Sequence, residues 1–210
     1  MKAGDKYKVP SSEQEGKVLP NKLNITDLHE MELAEAKGFI SAQILLRSEL
    51  NSETIFDLNY ILKIHKLALG DIYSFAGKAR RVDMSKAGFR FPSAFYLENT
   101  LKEFDNTILK EIRNEYQDTS ELIEDISKVH AELLFIHPFR EGNGRTARVL
   151  ANLMAEKAGY DRLLFERLDN TEMFAKYIQA IQQAAVNYEP MREIIGLSFS
   201  NLEAADSAIL

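Results

Sequence analysis

Apolar residues recur at helical spacing along most of the chain. Leu122, Ile123, Ile126, Val129, Leu133 and Leu134 fall on one helical face and predict a buried helix, with Ser120 placed to cap it. Upstream, Thr26 is placed to cap an amphipathic helix with Asp27 and Glu30 in its first turn, Leu33, Ala36, Lys37, Ile40, Ile44 and Leu45 following at helical recurrence. Ser52 is placed to cap a second helix through Ile55, Leu58, Ile61, Leu62, Ile64 and Leu67, stopping near Leu69 before Gly70. Ser93 opens another, with Phe95, Leu97, Leu101, Phe104, Ile108 and Ile112 on its apolar side. Val149, Leu150, Leu153 and Met154 predict a helix ended by Gly159 as its left-handed residue. After the short apolar link Leu163-Leu164-Phe165, Asn170 caps a helix carrying Met173, Tyr177, Ile178, Ile181 and Ala185, and Pro190 opens a last one to near Leu197.

The helical period fails between Gly77 and Pro92. Arg81, Val82, Asp83 and Met84 read as a strand, Ala87-Gly88 as a turn and Phe89 to Phe91 as the return strand. Two strands alone are marginal in water, so such a hairpin must lean on the helices and is suited to gripping an extended partner. Residues 1–24, with Pro10 and Pro20, read as an extended arm, and residues 198–210 as a tail. The expected fold is a single all-α domain over residues 25–197 with one β-hairpin flap.

Composition narrows the function. A 210-residue chain with 45% hydrophobic residues suits one domain with a sizeable core. Its net charge of −6 argues against broad nucleic-acid binding, which draws on a basic field. There is no cysteine, and the four histidines lack zinc spacing. No run is apolar enough for a signal peptide or membrane span, so the expected setting is cytoplasmic, with export by a specialised machine giving the same sequence.

The chemistry concentrates in His137-Pro138-Phe139-Arg140-Glu141-Gly142-Asn143-Gly144-Arg145-Thr146-Ala147-Arg148. Pro138 stops the preceding helix and pushes His137 out of the α region, leaving its ring at a loop. Gly142 and Gly144 free the backbone around Asn143 to aim N–H groups into one concavity, at the positive end of the next helix. Cations in a helix's first turn oppose the macrodipole, so Arg145 and Arg148 point to an anion there. A carboxylate beside a polyphosphate, Glu141, is a natural Mg²⁺ ligand, and His137 is the nearby group able to take a proton near neutral pH. Gly142-x-Gly144-x-x-Ala147 also fits a dinucleotide fingerprint, which requires a preceding strand where a helix is predicted. A purely structural loop is the remaining alternative.

The segment resembles the Fic family, whose signature H-P-F-x-[D/E]-G-N-G-R-x-x-R it meets at every specified position. The resemblance continues upstream through Ile64-His65 and Asp71-Ile72-Tyr73-Ser74-Phe75-Ala76-Gly77 with Arg80, departing at Phe75, where a tryptophan is usual. It implies a protein adenylyltransferase that moves AMP from ATP to a hydroxyl side chain. By position, His137 would deprotonate the hydroxyl, Phe139 would be buried to fix the loop, and Glu141 would hold Mg²⁺. Gly142, Asn143 and Gly144 would cradle the phosphates, and Arg145 and Arg148 would bind the departing pyrophosphate. The flap, Arg81, Val82, Asp83, Met84, Lys86, Gly88 and Phe91, would dock a target protein; its basic residues suit acidic segments or serve as a charged edge against aggregation. The resemblance makes Tyr177 a candidate adenine contact, with a core position on its helical face as the alternative, while His65 and His130 read as packed residues.

The arm's Ser11-Ser12-Glu13-Gln14-Glu15-Gly16 fits the loose pattern by which many Fic proteins inhibit themselves, a glutamate pairing with the second motif arginine. The resemblance thus implies Ser11 and Glu15 as inhibitory residues acting on Arg148. The alternatives are a solvated arm and a separate small antitoxin. For the chain itself they are a Fic-fold kinase or other nucleotidyl or phosphodiester transferase, and a nucleotide-binding toxin or scaffold module without turnover, held by an antitoxin.

Overall fold

In the computed structural model, residues 18–86, 88–168 and 171–199 are described. Ser11 and Glu15, Ala87, Asn170 and the tail from Ser200 lie outside them. Among the described residues the fold has seven helices and one two-stranded antiparallel hairpin. The helices are α1 (Leu28–Glu49), α2 (Leu58–Leu69), α3 (Leu97–Thr107), α4 (Thr119–Ile136), α5 (Asn143–Lys157), α6 (Thr171–Gln182) and α7 (Glu189–Ser198). The hairpin pairs β1 (Ser85–Lys86) with β2 (Phe89–Arg90), Ser85 opposite Arg90.

α4 is the central helix. It buries Leu122, Ile123, Ile126, Val129, Leu133 and Leu134, the face read from the sequence, and packs against α3, α5, α6 and α7. α5 lies against α1, α2 and α4, so the turn between α4 and α5 is braced by four helices. Gly159 closes α5 at φ 87°, a conformation glycine adopts without Cβ strain.

Helix starts differ from the sequence reading. Asp27, Asp57 and Asp118 cap α1, α2 and α4, each accepting the N–H three residues on, in place of Thr26, Ser52 and Ser120. A carboxylate caps as well as a hydroxyl and adds favourable charge at the positive helix end. α3 begins at Leu97, not Ser93, because the Ser93 hydroxyl and the Ala94 N–H are bonded to Asp83. Phe95 is consequently 85% exposed.

α1 is rotated from the expected face. It buries Met31, Glu35, Phe39, Ala42 and Leu46 and leaves Leu33, Ile40, Ile44 and Leu45 exposed. Both stripes have helical spacing, and the buried one includes a carboxylate that finds partners in the fold. The first flap strand is Ser85–Lys86 and not the expected Arg81–Met84. Arg81–Met84 are irregular, anchored through Arg80 and Asp83, although Phe91 N–H still reaches Met84 O at 3.0 Å.

Candidate active site

The motif turn starts with a strained residue. His137 ends α4 in the left-handed region (φ 52°, ψ 61°), whereas a residue before proline usually escapes the α region into an extended one. Such a backbone costs about 1–3 kcal/mol and persists only where its surroundings hold it. Arg80 supplies the hold. This buried side chain donates from Nε to His137 O (2.7 Å), from Nη1 to Val82 O (2.7 Å) and from Nη2 to Pro92 O (2.5 Å) and Ile136 O (3.4 Å). Its own N–H reaches Pro138 O at 2.7 Å. Arg80 thus binds the carbonyls of Ile136 and His137 at the end of α4 and ties the flap to them.

His137 faces the turn in one tautomer. Its Nδ1 lies 3.2 Å from Leu134 O, and a carbonyl only accepts, so Nδ1 carries the proton and Nε2 keeps its lone pair. Burial, with Arg80 and Lys86 nearby, lowers its pKa from 6.5 to about 4. The imidazole is therefore neutral at pH 7, held flat against the Phe91 ring at 3.8 Å between centroids.

The turn has its own scaffold. Phe139 is fully buried and stacks on His65 at 3.8 Å. His65 accepts the Gly77 N–H on Nδ1 (2.8 Å) and donates from Nε2 to Glu141 O (3.0 Å). Burial keeps it neutral, its pKa lowered to about 4. Asn143 is committed too: its Oδ1 accepts the Phe139 N–H (2.8 Å) and its Nδ2 donates to Phe139 O (2.7 Å). With both ends of its amide taken, Asn143 has only its backbone N–H to offer the turn, the group expected of it.

Gly142 and Gly144 have different tasks. Gly142 sits at φ 77°, and a Cβ there would meet Leu69 Cδ1 and Phe39 Cζ at 3.0 Å. A Cβ at Gly144 would meet nothing within 4 Å. No side chain caps α5, and its first internal bond is Thr146 N–H to Gly142 O at 2.9 Å. The N–H groups of Asn143, Gly144 and Arg145 therefore lack partners among the described residues, as an anion site requires.

The two arginines are held differently. Arg145 Nη2 bonds Glu35 Oε2 at 2.5 Å and Glu141 Oε1 at 3.1 Å, and its guanidinium lies over the Phe39 ring. Arg148 has no carboxylate partner among the described residues; it lies over Phe165 and against the Tyr177 hydroxyl. Tyr177 is buried, with its hydroxyl 2.7 Å from His130 Nε2. His130 Nδ1 faces Ala147 O at 3.3 Å, so it donates there and accepts from Tyr177. That places Tyr177 in the core beside Arg148 and corrects its expected role as an adenine wall. Glu35 escaped the sequence reading, and the role of Arg80 went unread, because each is a charged residue whose burial becomes intelligible only with its partners in place.

Glu141 accepts Gly142 N–H and Arg145 on Oε1, leaving Oε2 without a protein partner among the described residues. Those residues contain no group of three or more histidine, aspartate or glutamate side chains able to hold an ion. One free carboxylate oxygen beside an open phosphate cradle fits Mg²⁺, which typically takes one or two carboxylates and completes its shell with phosphates and water.

The flap residues divide. Asp83 is used internally through Ser93 and Ala94, and Phe91 packs on His137. Arg81, Lys86 and Arg90 are exposed, Val82 and Met84 are partly buried, and Gly88 turns the hairpin at φ 81°.

Residues 55–155, which include the whole turn, match the Fic/DOC family. The chain carries a Fic domain. The protein adenylyltransferase VbhT of Bartonella schoenbuchensis is 33% identical over 172 residues, 81% of this chain and 35% of that protein. The protein adenylyltransferase fic-1 of Caenorhabditis elegans is 30% identical over 77% of this chain and 30% of its own length. The chain thus spans about a third of the curated relatives it matches. Among solved structures, the N-terminal Fic domain of a Bep effector from Bartonella sp. AR 15-3 superposes with a TM-score of 0.72 at 23% identity, covering 90% of both chains. BepC of Bartonella tribocorum, solved with AMPPNP, gives 0.69 at 22% identity, over 87% of this chain and 94% of that one. These likenesses establish the fold: a helical Fic domain with one hairpin.

Proposed function

We propose that the chain is a protein adenylyltransferase. The observation that carries the reading is the neutral His137, its Nδ1 proton committed to Leu134 O and its Nε2 without a partner among the described residues, in the same α4–α5 connection as the uncapped start of α5 and its two arginines. Relatives at 26–33% identity named protein adenylyltransferase support it. Nε2 takes the proton of a target hydroxyl, the oxygen attacks the α-phosphorus of ATP, and the bond to the α–β bridging oxygen breaks, releasing pyrophosphate. The open N–H groups at Gly144 and Arg145 receive the phosphates, while the Arg145 and Arg148 guanidiniums neutralise the leaving charge. Mg²⁺, when bound at Glu141, adds charge neutralisation on those phosphates. The exposed basic flap docks the target segment, and the setting is cytoplasmic.

Regulation is part of the proposal. Arg148 lacks a carboxylate partner among the described residues, so Glu15 of the arm or a small antitoxin can supply one and compete with the γ-phosphate. ATP labelled at the α-phosphorus should mark a target, or the chain itself, with Mg²⁺ present and not in His137→Ala. Label entering from the γ-phosphorus would establish a kinase instead, and ATP binding without any product would establish a silent module.

A further inference from the structure

Glu35 lies on α1, outside the residues that match the family, and nothing in the turn's own sequence calls for it. It is only 5% exposed, yet both of its oxygens are engaged. Oε1 accepts the hydroxyl of the buried Tyr73, and Oε2 takes Arg145 Nη2 at 2.5 Å. One turn along α1, Phe39 lies under the same guanidinium, its ring edge 3.0 Å from where a Gly142 Cβ would stand. α1 therefore presents a carboxylate and a ring, four residues apart on one face, as the floor of the phosphate turn.

We propose that Glu35, locked by Tyr73, is a positioning residue for Arg145, holding one guanidinium nitrogen from below so that the remaining donors face the nucleotide. The inference rests on the nucleotide reading of this site. Arg145 Nε and Nη1 have no partner among the described residues, so the anchor takes one nitrogen and leaves the rest of the fork for phosphate. Glu35 is buried at the floor and does not stand in the open space at Gly144. It also holds Nη2 more closely than Glu141 does, 2.5 against 3.1 Å, so Arg145 keeps an anchor when Glu141 turns to a metal ion. Without Glu35, the nearest anion for Arg145 is Glu141, and the pair would withdraw both from the ligand.

The direction of the effect is diagnostic. A plain charge count says that removing a carboxylate from an anion site strengthens phosphate binding. Positioning says the reverse. The test is a double-mutant cycle read by calorimetry: wild type, Glu35→Gln, Arg145→Ala and the double variant, each titrated with ATP and AMP at several Mg²⁺ concentrations, with thermal melts alongside. The expected result is about tenfold weaker ATP binding for Glu35→Gln, the lower end for loss of a supporting partner, with AMP affinity unmoved. The Mg²⁺ requirement should shift upward, and Glu35→Gln should have no further effect once Arg145 is alanine. Tyr73→Phe, which keeps the carboxylate, should give a smaller loss in the same direction and serves if Glu35→Gln does not fold. Tighter ATP binding by Glu35→Gln, or additive losses in the cycle, would overturn the proposal. Wild type that binds ATP without transferring AMP would sink the transferase reading while the cycle still decides Glu35; wild type that binds no nucleotide would sink both.

Discussion

The ring of Phe91 lies on the ring of His137, centroids 3.8 Å apart and planes 17° from parallel. The flap therefore forms one wall of the proposed base, in addition to offering an edge to a partner. Phe91 leaves β2, and its N–H to Met84 O completes the hairpin, so flap conformation and imidazole orientation are mechanically joined. In Phe91→Ala the imidazole keeps its Leu134 bond and loses its wall. The expected outcome is a fall in kcat of about tenfold or more, the scale of misplacing a reacting group, with the KM for ATP little changed. Steady-state transfer assays separate the two.

Gly142 and Gly144 should fail in opposite ways. Gly142→Ala sets a Cβ against Phe39 and Leu69 at a positive φ and should destabilise the fold by about 1–3 kcal/mol. Gly144→Ala meets no protein atom and sits in a helix, so it should leave stability unchanged or improved by up to about 1 kcal/mol. Its methyl instead occupies phosphate space, and ATP affinity should drop while the melting temperature does not. Urea unfolding and calorimetry on the two variants check the contrast.

Arg80→Lys should loosen the flap. A lysine cannot serve the carbonyls of Ile136, His137, Val82 and Pro92 together, and the end of α4 would be left under-bonded. About 2–3 kcal/mol of stability should be lost, as for a buried donor shared among several acceptors. Hydrogen exchange should rise at Phe91, whose N–H bond closes the hairpin, before it rises in the middle of α4.

Acid should unfold the domain sooner than its carboxylates alone would dictate. His65 and His137 have pKa values lowered from 6.5 to about 4, and His130 to about 3, chiefly by burial. Below pH 6.5 the unfolded chain takes up protons at these histidines while the folded one does not. Their contribution is full above pH 6.5 and is lost as pH falls toward 4 for His65 and His137 and toward 3 for His130. Three such groups give a slope of up to about 4 kcal/mol per pH unit inside that window. Urea midpoints at pH 7.5, 6 and 5 should fall steadily, and His130→Gln, which keeps a side-chain amide for Tyr177 and Ala147, should flatten the slope.

Much was legible in the residue order. The α4 face was read correctly because its apolar stripe runs unbroken from Leu122 to Leu134, and Pro138 and Gly159 bound the motif helices by backbone chemistry that holds in any context. The twelve motif residues read as a candidate anion turn with its own imidazole for similarly local reasons: glycine permissiveness, helix-end charge and the side-chain pKa range.

Tertiary structure decided which polar groups are free. The Asn143 amide shows its use only when Phe139 takes both of its ends, Tyr177 reads like a pocket wall until His130 takes its hydroxyl, and Arg80 shows its use only when four carbonyls surround it. Glu35 reads as the wet side of α1 until Tyr73 and Arg145, 38 and 110 residues away, arrive beside it. Local sequence carries the cost of burying a charge but not the partner that offsets it. That partner comes from packing between segments far apart in the chain, so the residue types of this site could be read along the sequence and their assignments only across the fold.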